Sequence, residues 1–291
     1  MLHFRHSNQG GAMLESALYI VPTPIGNLDD ITLRAIEVLK NATLIAAEDT
    51  RHSKILLDKL AISSKKMISC HDHNEEQRAK IIIDEVLNQG IVALISDAGT
   101  PLINDPGYKV VKICAKANVK VIPLPGPCAL ITALEASALP TDKFMFNGFF
   151  PVKEKELQEE IEKLIAVDYT AVFYETPRRI VDTMQVIAKI LPEHEVTICR
   201  EMTKTFESFY RLKAKDAPAF LQEDSDRTKG EFVVAIGALK DQELSIDPKI
   251  VKAMETLIKT TPVKVVANVL SELTSIKKND LYNLALELKA K

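Results

Sequence analysis

The sequence predicts an α/β protein of two domains with a small helical appendage. Three observations predict it. Short apolar runs alternate with amphipathic helical periods from Leu18 to Ala136. Two strand patterns, Glu195–Cys199 and Phe206–Tyr210, follow one another with no helix between them. Beyond Asp247 only helical periods remain. The first pattern specifies one mostly parallel, doubly wound sheet, and the second a mixed sheet. A length of 291 residues fits two domains and a small third. The expected divisions are a leader over 1–17, domains over 18–137 and 138–240, and a helical domain over 247–291.

In the first domain, Leu18–Val21 is a strand, and Pro22 to Leu28 a rigid loop. A helix follows with Asp29 or Asp30 as its cap and with Ile31, Ala35, Val38 and Leu39 on its apolar face. The loop is no GxGxxG fingerprint, and its prolines remove the backbone donors a pyrophosphate would need. A nicotinamide dehydrogenase is thereby disfavoured. Thr43–Ala47 is the second strand, Ile55–Leu60 lies within the helix that follows, and Lys66–Ser69 is the third strand. Gln77–Leu87 is an amphipathic helix ended by Gly90. Ile91–Ile95 has the length of a buried strand and delivers Asp97 to a sharp loop in which Gly99 is free to take positive φ. Asn104 to Gly107 cap the helix Tyr108–Ala117, and Val119–Ile122 and the alanine-rich helix Ala129–Ala136 complete the domain.

In the second domain the strands are Phe144–Phe150, Thr170–Tyr174, Glu195–Cys199, Phe206–Tyr210 and Phe232–Ile236. The helices are Glu154–Ala166, Arg178–Ile190 and Ala214–Leu221. Three helical patterns close the chain: Pro248–Ile258, Pro262–Leu273 and Lys278–Leu288. From Thr261 to Lys291 lysines outnumber acids five to three, so Lys277 and Lys278 give this appendage a basic edge suited to nucleic acid or simply to solvent.

Composition narrows the function. Lys+Arg is 37 against 40 Asp+Glu, a net charge of −3, which excludes coating naked nucleic acid through global charge. Cys70, Cys114, Cys128 and Cys199 form no CxxC pair and read as reduced thiols in a cytoplasmic protein. No metal site is expected, because His71-Asp72-His73 reads as a polar turn before a helix. No apolar run reaches membrane-spanning length. Met1–Ser16 is polar and lacks a signal-peptide core, so it reads as a disordered leader or an upstream start.

Chemistry concentrates at strand ends, where open α/β sheets bind ligands. Glu48-Asp49-Thr50-Arg51-His52 ends the second strand with two carboxylates, a hydroxyl, a guanidinium and an imidazole. Five consecutive functional groups exceed what a helix cap needs, although acids at a helix start are also favoured by the dipole.

Several long strings then stand in one order: VPTPIGNLDDITLRA from Val21, AEDTRHS from Ala47, SDAGTPLINDPG from Ser96, PLPGPCALITALEASALP from Pro123, FNGFFP from Phe146 and FYETPRR from Phe173. REMTKTFE from Arg200 and KGEF from Lys229 continue the series. Together they resemble the bacterial 16S ribosomal RNA (cytidine-2′-O)-methyltransferase family, within the tetrapyrrole-methylase-like class III S-adenosylmethionine enzymes. The resemblance covers roughly Leu18 to Leu288. It implies two α/β domains with the cofactor in a cleft between them, and a homodimer. It also implies methyl transfer from S-adenosylmethionine to the ribose 2′-hydroxyl of a cytidine in the decoding centre of the small ribosomal subunit. By motif position the cofactor-facing residues are Pro24, Ile25, Asp97, Ala98, Gly99, Thr100, Cys128, Ala129, Tyr174, Met202, Gly230 and Glu231. Cys128-Ala129 departs from the small hydroxyl residues many class III enzymes carry there, so backbone is expected to meet the cofactor carboxylate.

A ribose hydroxyl is a weak acid and needs a base, or a cation beside the developing alkoxide. Glu48 or Asp49 is the expected base, with Arg51 stabilising phosphate or alkoxide. Arg34, Arg178 and Arg179 are expected on RNA phosphates, with the domain interface as the alternative for Arg178 and Arg179. Two other readings compete: a tetrapyrrole methyltransferase of the same superfamily, and a non-catalytic ribosome assembly module.

Overall fold

A computed structural model describes residues 14–63, 65–239, 248–274, 276 and 278–290. The chain divides into two compact units, Met1–Ala133 with Glu201–Ser208, and Leu134–Arg200 with Phe209–Lys291. The division falls a few residues before the expected one, and the first unit takes back an eight-residue segment from the second half. That segment has no apolar period, so nothing in its local pattern announces where it packs.

The first unit contains β1 (Ala17–Ile20), α1 (Leu33–Asn41), β2 (Leu44–Ala47), α2 (Thr50–Lys59), β3 (Met67–Ser69), α3 (Glu75–Leu87), β4 (Ile91–Ile95), α4 (Tyr108–Lys116) and β5 (Val121–Pro123). Helix α5 (Ala129–Ala136) runs across the boundary. The strands form one sheet in the order β3-β2-β4-β1-β5, with every pair parallel. Successive side chains alternate faces. Leu18, Ile20, Leu44 and Leu94 pack with Ile82, Val86, Val110 and Cys114 on one side. Tyr19, Val21, Ile45 and Ile95 pack with Val38, Leu39 and Leu57 on the other. Both faces are covered, which is why these strands read as continuous apolar runs. Because all five are parallel, their carboxyl ends lie along one edge, and the loops of interest leave from it.

Several local expectations are corrected. Leu14 packs against the core, Ser16 Oγ donates to the Val86 and Gly90 carbonyls, and Ala17 already belongs to β1. Residues 14–17 therefore do not belong to the expected leader, and 1–13 lie outside the described residues. Asp29 and Asp30 form a 3-10 turn capped by Asn27, while α1 starts later under Thr32, whose hydroxyl accepts the Ala35 N–H at 3.0 Å. Proline-rich entry and a second capping residue split one expected helix start into two.

The second unit contains β6 (Phe144–Phe149), α6 (Glu154–Lys163), β7 (Thr170–Glu175), α7 (Ile180–Ile190), β8 (Glu195–Arg200), β9 (Ser208–Lys213), α8 (Ala217–Gln222) and β10 (Phe232–Ile236). Its sheet runs β6-β7-β10-β8-β9. It is mixed: β6 and β7 are parallel, and β10 is antiparallel to both β7 and β8. Phe150, Ile161, Phe173, Ile180, Ile187 and Leu221 lie in its core, with Phe150 and Phe173 stacked at 4.1 Å. Strand β9 starts at Ser208, not at Phe206, and α7 starts after Arg179, because Pro177-Arg178-Arg179 form a turn. The expected helix to Ala166 ends at Lys163 and tightens into a 3-10 turn.

Helices α9 (Pro248–Leu257), α10 (Val263–Leu273) and α11 (Lys278–Ala290) enclose a separate small core of Met254, Val263, Val266, Ala267, Leu270, Leu281 and Ala285.

Candidate active site at the strand ends of the first unit

Strands β2 and β4 are neighbours, with Ala47 opposite Ile95. Glu48 and Asp97 therefore leave the sheet side by side. The Asp97 N–H donates to the Glu48 carboxylate at 3.3 Å, and the Asp97 carboxylate accepts the Asp49 N–H at 3.2 Å. Burial pushes the Glu48 carboxyl up from its ordinary value. The Asp97 N–H opposes this, while the charges of Asp97, Asp72 and Asp49 add to it. Asp105, on the same loop as Asp97, is pushed up to about 6, chiefly by burial, against a hydrogen bond from Ser96 and with repulsion from Glu48, Asp97 and Asp72. Loops following β2, β3 and β4 thus bring the carboxylates of Asp49, Asp72, Asp97 and Asp105 into the field of Glu48. Among the described residues no group of His, Cys, Asp and Glu has metal-holding geometry.

The structure gives Asp49 a different job from Glu48. Its carboxylate caps α2 through the Arg51 N–H at 2.8 Å and pairs with the Arg51 guanidinium at 2.8 Å. The Arg51 side-chain bond, then its backbone bond, hold the Asp49 carboxyl down at about 2. A carboxylate so occupied is a poor proton acceptor, which leaves Glu48 as the base candidate of the two. Arg51 itself is exposed.

The loops after β1 and β4 are zipped together. The Thr23 N–H donates to the Gly99 carbonyl at 2.8 Å, and the Gly99 N–H returns to the Thr23 carbonyl at 2.9 Å. Thr23 Oγ1 donates to the Ser96 carbonyl at 3.2 Å, and Thr100 Oγ1 to that of Pro127 at 2.8 Å. Gly99 has φ +77°, and a Cβ there would lie 3.2 Å from Ile25 Cγ2. Pro24, Ile25, Asp97, Ala98, Gly99, Thr100 and the Pro127-Cys128-Ala129 turn are therefore gathered in one place. Met202 joins them, buried, with its carbonyl 3.1 Å from where a Gly26 Cβ would stand.

The remaining predicted residues, apart from Arg34 on α1, belong to the second unit. Tyr174 lies on β7, its ring against Phe146 at 4.8 Å and Phe149 at 5.6 Å. Gly230, at φ +94°, and Glu231 lead into β10 opposite the end of β7. Arg179 is committed within this unit: it pairs with the buried Glu175 at 2.7 Å and donates to the Phe150 and Pro151 carbonyls at 3.1 Å. Its cationic head thus satisfies a buried carboxylate of the same unit. Arg178 and Arg34 are exposed. Lys278 donates to Asn268 at 2.8 Å, and Lys277 lies outside the described residues.

Two buried structural carboxylates escape a reading of local pattern. Glu75, buried at the start of α3, accepts the Gly107 N–H at 2.7 Å and the Lys109 N–H at 3.2 Å. It caps α4 in place of the expected Asn104 to Gly107 residues, since Gly107 has no side chain to do so. Glu175 does the comparable work in the second unit, accepting from Thr183 Oγ1 at 2.7 Å. The only sequence signal for either is an acid at a strand end or helix start.

The family model for tetrapyrrole (corrin/porphyrin) methylases matches residues 17–218, and that for the RsmI C-terminal HTH domain matches 245–289. A ribosomal RNA small subunit methyltransferase I of Vibrio cholerae serotype O1 is 46% identical over 93% of this chain and 94% of its own length. The protein of that name from Escherichia coli O157:H7 is 43% identical over 94% and 96%. A uroporphyrin-III C-methyltransferase of Thermus thermophilus, solved with S-adenosylhomocysteine, has the same fold at a TM-score of 0.51 and 18% identity, covering 76% of this chain and 97% of its own.

Proposed function

The chain belongs to the tetrapyrrole (corrin/porphyrin) methylase family, and on that premise we propose that it 2′-O-methylates the ribose of a cytidine in the decoding centre of 16S ribosomal RNA, using S-adenosylmethionine. The observation that carries this reading is the extent of the match. Relatives named for the small-subunit RNA align over nearly the whole chain, appendage included, whereas the tetrapyrrole enzyme covers only 76% of it.

The residues fit the cofactor. It carries a cationic sulfonium and no phosphate. The loop after β4 offers carboxylates at Asp97 and Asp105, and the prolines at 22, 24, 125 and 127 leave few backbone donors for a phosphate. When bound, S-adenosylmethionine supplies a methyl group already activated by its sulfonium. The chain's own residues must then align the acceptor, exclude water and remove one proton. Glu48 takes the proton of the ribose 2′-hydroxyl at its carboxylate, and Asp97 holds that carboxylate through its N–H. Pro24, Ile25, Asp97 to Thr100, Cys128, Ala129 and Met202 form the cofactor surface of the first unit, and Tyr174, Gly230 and Glu231 that of the second. Arg51, Arg34 and Arg178 contact phosphates, and the appendage, through Lys277 and Lys278, docks on RNA.

The enzyme acts in the cytoplasm as a homodimer on an assembled small subunit. Among the described residues no helix is long and apolar enough to cross a membrane. The deciding experiment supplies labelled S-adenosylmethionine with small subunits, naked 16S RNA or uroporphyrinogen. Label in a 2′-O-methylcytidine is expected from subunits. Label only in the tetrapyrrole overturns the reading, and failure to bind S-adenosylmethionine in calorimetry leaves an assembly module instead.

A further inference from the structure

Residues 201–208 belong to the first unit although β8 and β9, which flank them in sequence, lie largely in the second. The segment closes on the loop after β1. Thr203 Oγ1 accepts the Asn27 N–H at 3.0 Å. Gly26 leaves no room on that side: a Cβ would stand 2.5 Å from Lys204 Cγ and 2.7 Å from Thr203 Oγ1.

Thr203 reaches this position at φ +65°, and Glu201 precedes it at φ +49°. A β-branched residue is a genuine outlier in the left-handed region, where Gly or Asn is normally found. Such a conformation persists only where its surroundings over-determine it. They do here. The Thr203 N–H donates to the Glu207 carboxylate at 2.6 Å, and Lys204 pairs with Glu201 at 2.9 Å. The Lys204 N–H donates to the Glu201 carbonyl at 3.0 Å. Glycine or asparagine would fit this backbone better, and glycine would lack the hydroxyl that Asn27 uses.

The loop after β1 is thus pinned at two points. Thr23 is locked to Gly99 on one side of Pro24-Ile25, and Asn27 to Thr203 on the other. We propose that Thr203 is a positioning residue that fixes the Pro24–Asn27 loop in its ligand-ready shape. The proposal rests on the reading that this loop meets S-adenosylmethionine. A loop held in its bound shape loses less freedom on binding, so its anchor appears in affinity.

Four variants test it, with calorimetry for S-adenosylmethionine affinity, thermal unfolding, and the KM for S-adenosylmethionine against kcat. Thr203→Val keeps the β-branched shape and its backbone penalty and loses only the acceptor. It is expected to weaken binding about three- to tenfold, raising KM with kcat held. Thr203→Gly relieves the backbone and loses the acceptor, so its melting temperature holds or rises while affinity still falls. Thr203→Ser keeps the acceptor and is expected within about twofold of the parent. A purely structural threonine predicts instead that affinity follows stability, so a Thr203→Gly enzyme that binds as well as the parent overturns the proposal. Ile25→Asp separates the underlying reading. If it binds normally, the loop does not meet the cofactor and the proposal falls with it. If it loses binding while Thr203→Val does not, the loop reading stands and only the role of Thr203 falls.

Discussion

Glu48 and Asp97 constrain one another: the Asp97 N–H donates to the Glu48 carboxylate, and the Asp97 carboxylate accepts the N–H of the residue following Glu48. The pair joins the loop after β2 to the loop after β4, and so joins the proposed base to the proposed cofactor surface.

Glu48→Gln is therefore expected to lower the single-turnover rate by about a hundredfold to ten-thousandfold with cofactor affinity retained. Asp49→Asn, already a cap and an ion pair, is expected to keep near-parent turnover. Burial raises the Glu48 carboxyl, and a base works only when ionised, so the rate should rise with pH through an acid limb above the ordinary glutamate range. Equal losses in both variants would reassign the base.

Gly99→Ala meets two obstacles, the positive φ and Ile25 Cγ2 at 3.2 Å. It should cost about 1–2 kcal/mol of stability and weaken S-adenosylmethionine binding. Asp97→Ala should weaken binding with the backbone bridge between Thr23 and Gly99 intact. Calorimetry and urea unfolding measure both effects, and unchanged affinity in Asp97→Ala would remove Asp97 from the cofactor surface.

Asp105→Asn addresses the acidic group. Its folded pKa, about 6, lies above the unfolded value, so ionising Asp105 costs more in the folded state. The parent loses that stability as pH rises from about 4 to about 6. The rise from the ordinary aspartate value to about 6 corresponds to about 3 kcal/mol unscreened, and partial exposure reduces this to about 1 kcal/mol. The variant should be more stable than the parent at pH 7.5 and equal to it near pH 4. A constant difference across that range would mean the charge is not the cause.

Arg179→Ala strands the buried Glu175 carboxylate and should cost about 3 kcal/mol, while Arg178→Ala should leave stability unchanged. Arg51→Ala, at an exposed position, should instead weaken RNA binding and lower the slope of log affinity against log salt by about 1. Unfolding curves and a salt titration with 16S RNA distinguish the two kinds of arginine.

Removing residues 247–291 takes away helices with their own core and no proposed cofactor residue. Cofactor binding should survive, and methylation of small subunits should fall. Loss of cofactor binding would make the appendage structural.

The sequence by itself determined the alternation of strand and helix, the two-sided burial of β1, β2 and β4, and the concentration of polar groups where those strands end. These are local patterns, since apolar spacing and turn residues act over a few positions. It left Glu48 and Asp49 equivalent, and suggested Asn104 to Gly107 as a cap and Arg178 and Arg179 as a pair. Tertiary structure decided each of these. Asp97 and Asp72 come beside Glu48 from other strands, Glu75 reaches Gly107 from α3, and Glu175 claims Arg179 but not Arg178. It also folded 201–208 onto a loop that lies far earlier in the chain, bringing Thr203 to Asn27. Burial, proton affinity and hydrogen-bond partnership depend on residues brought together by the fold, and no periodicity along the chain encodes them.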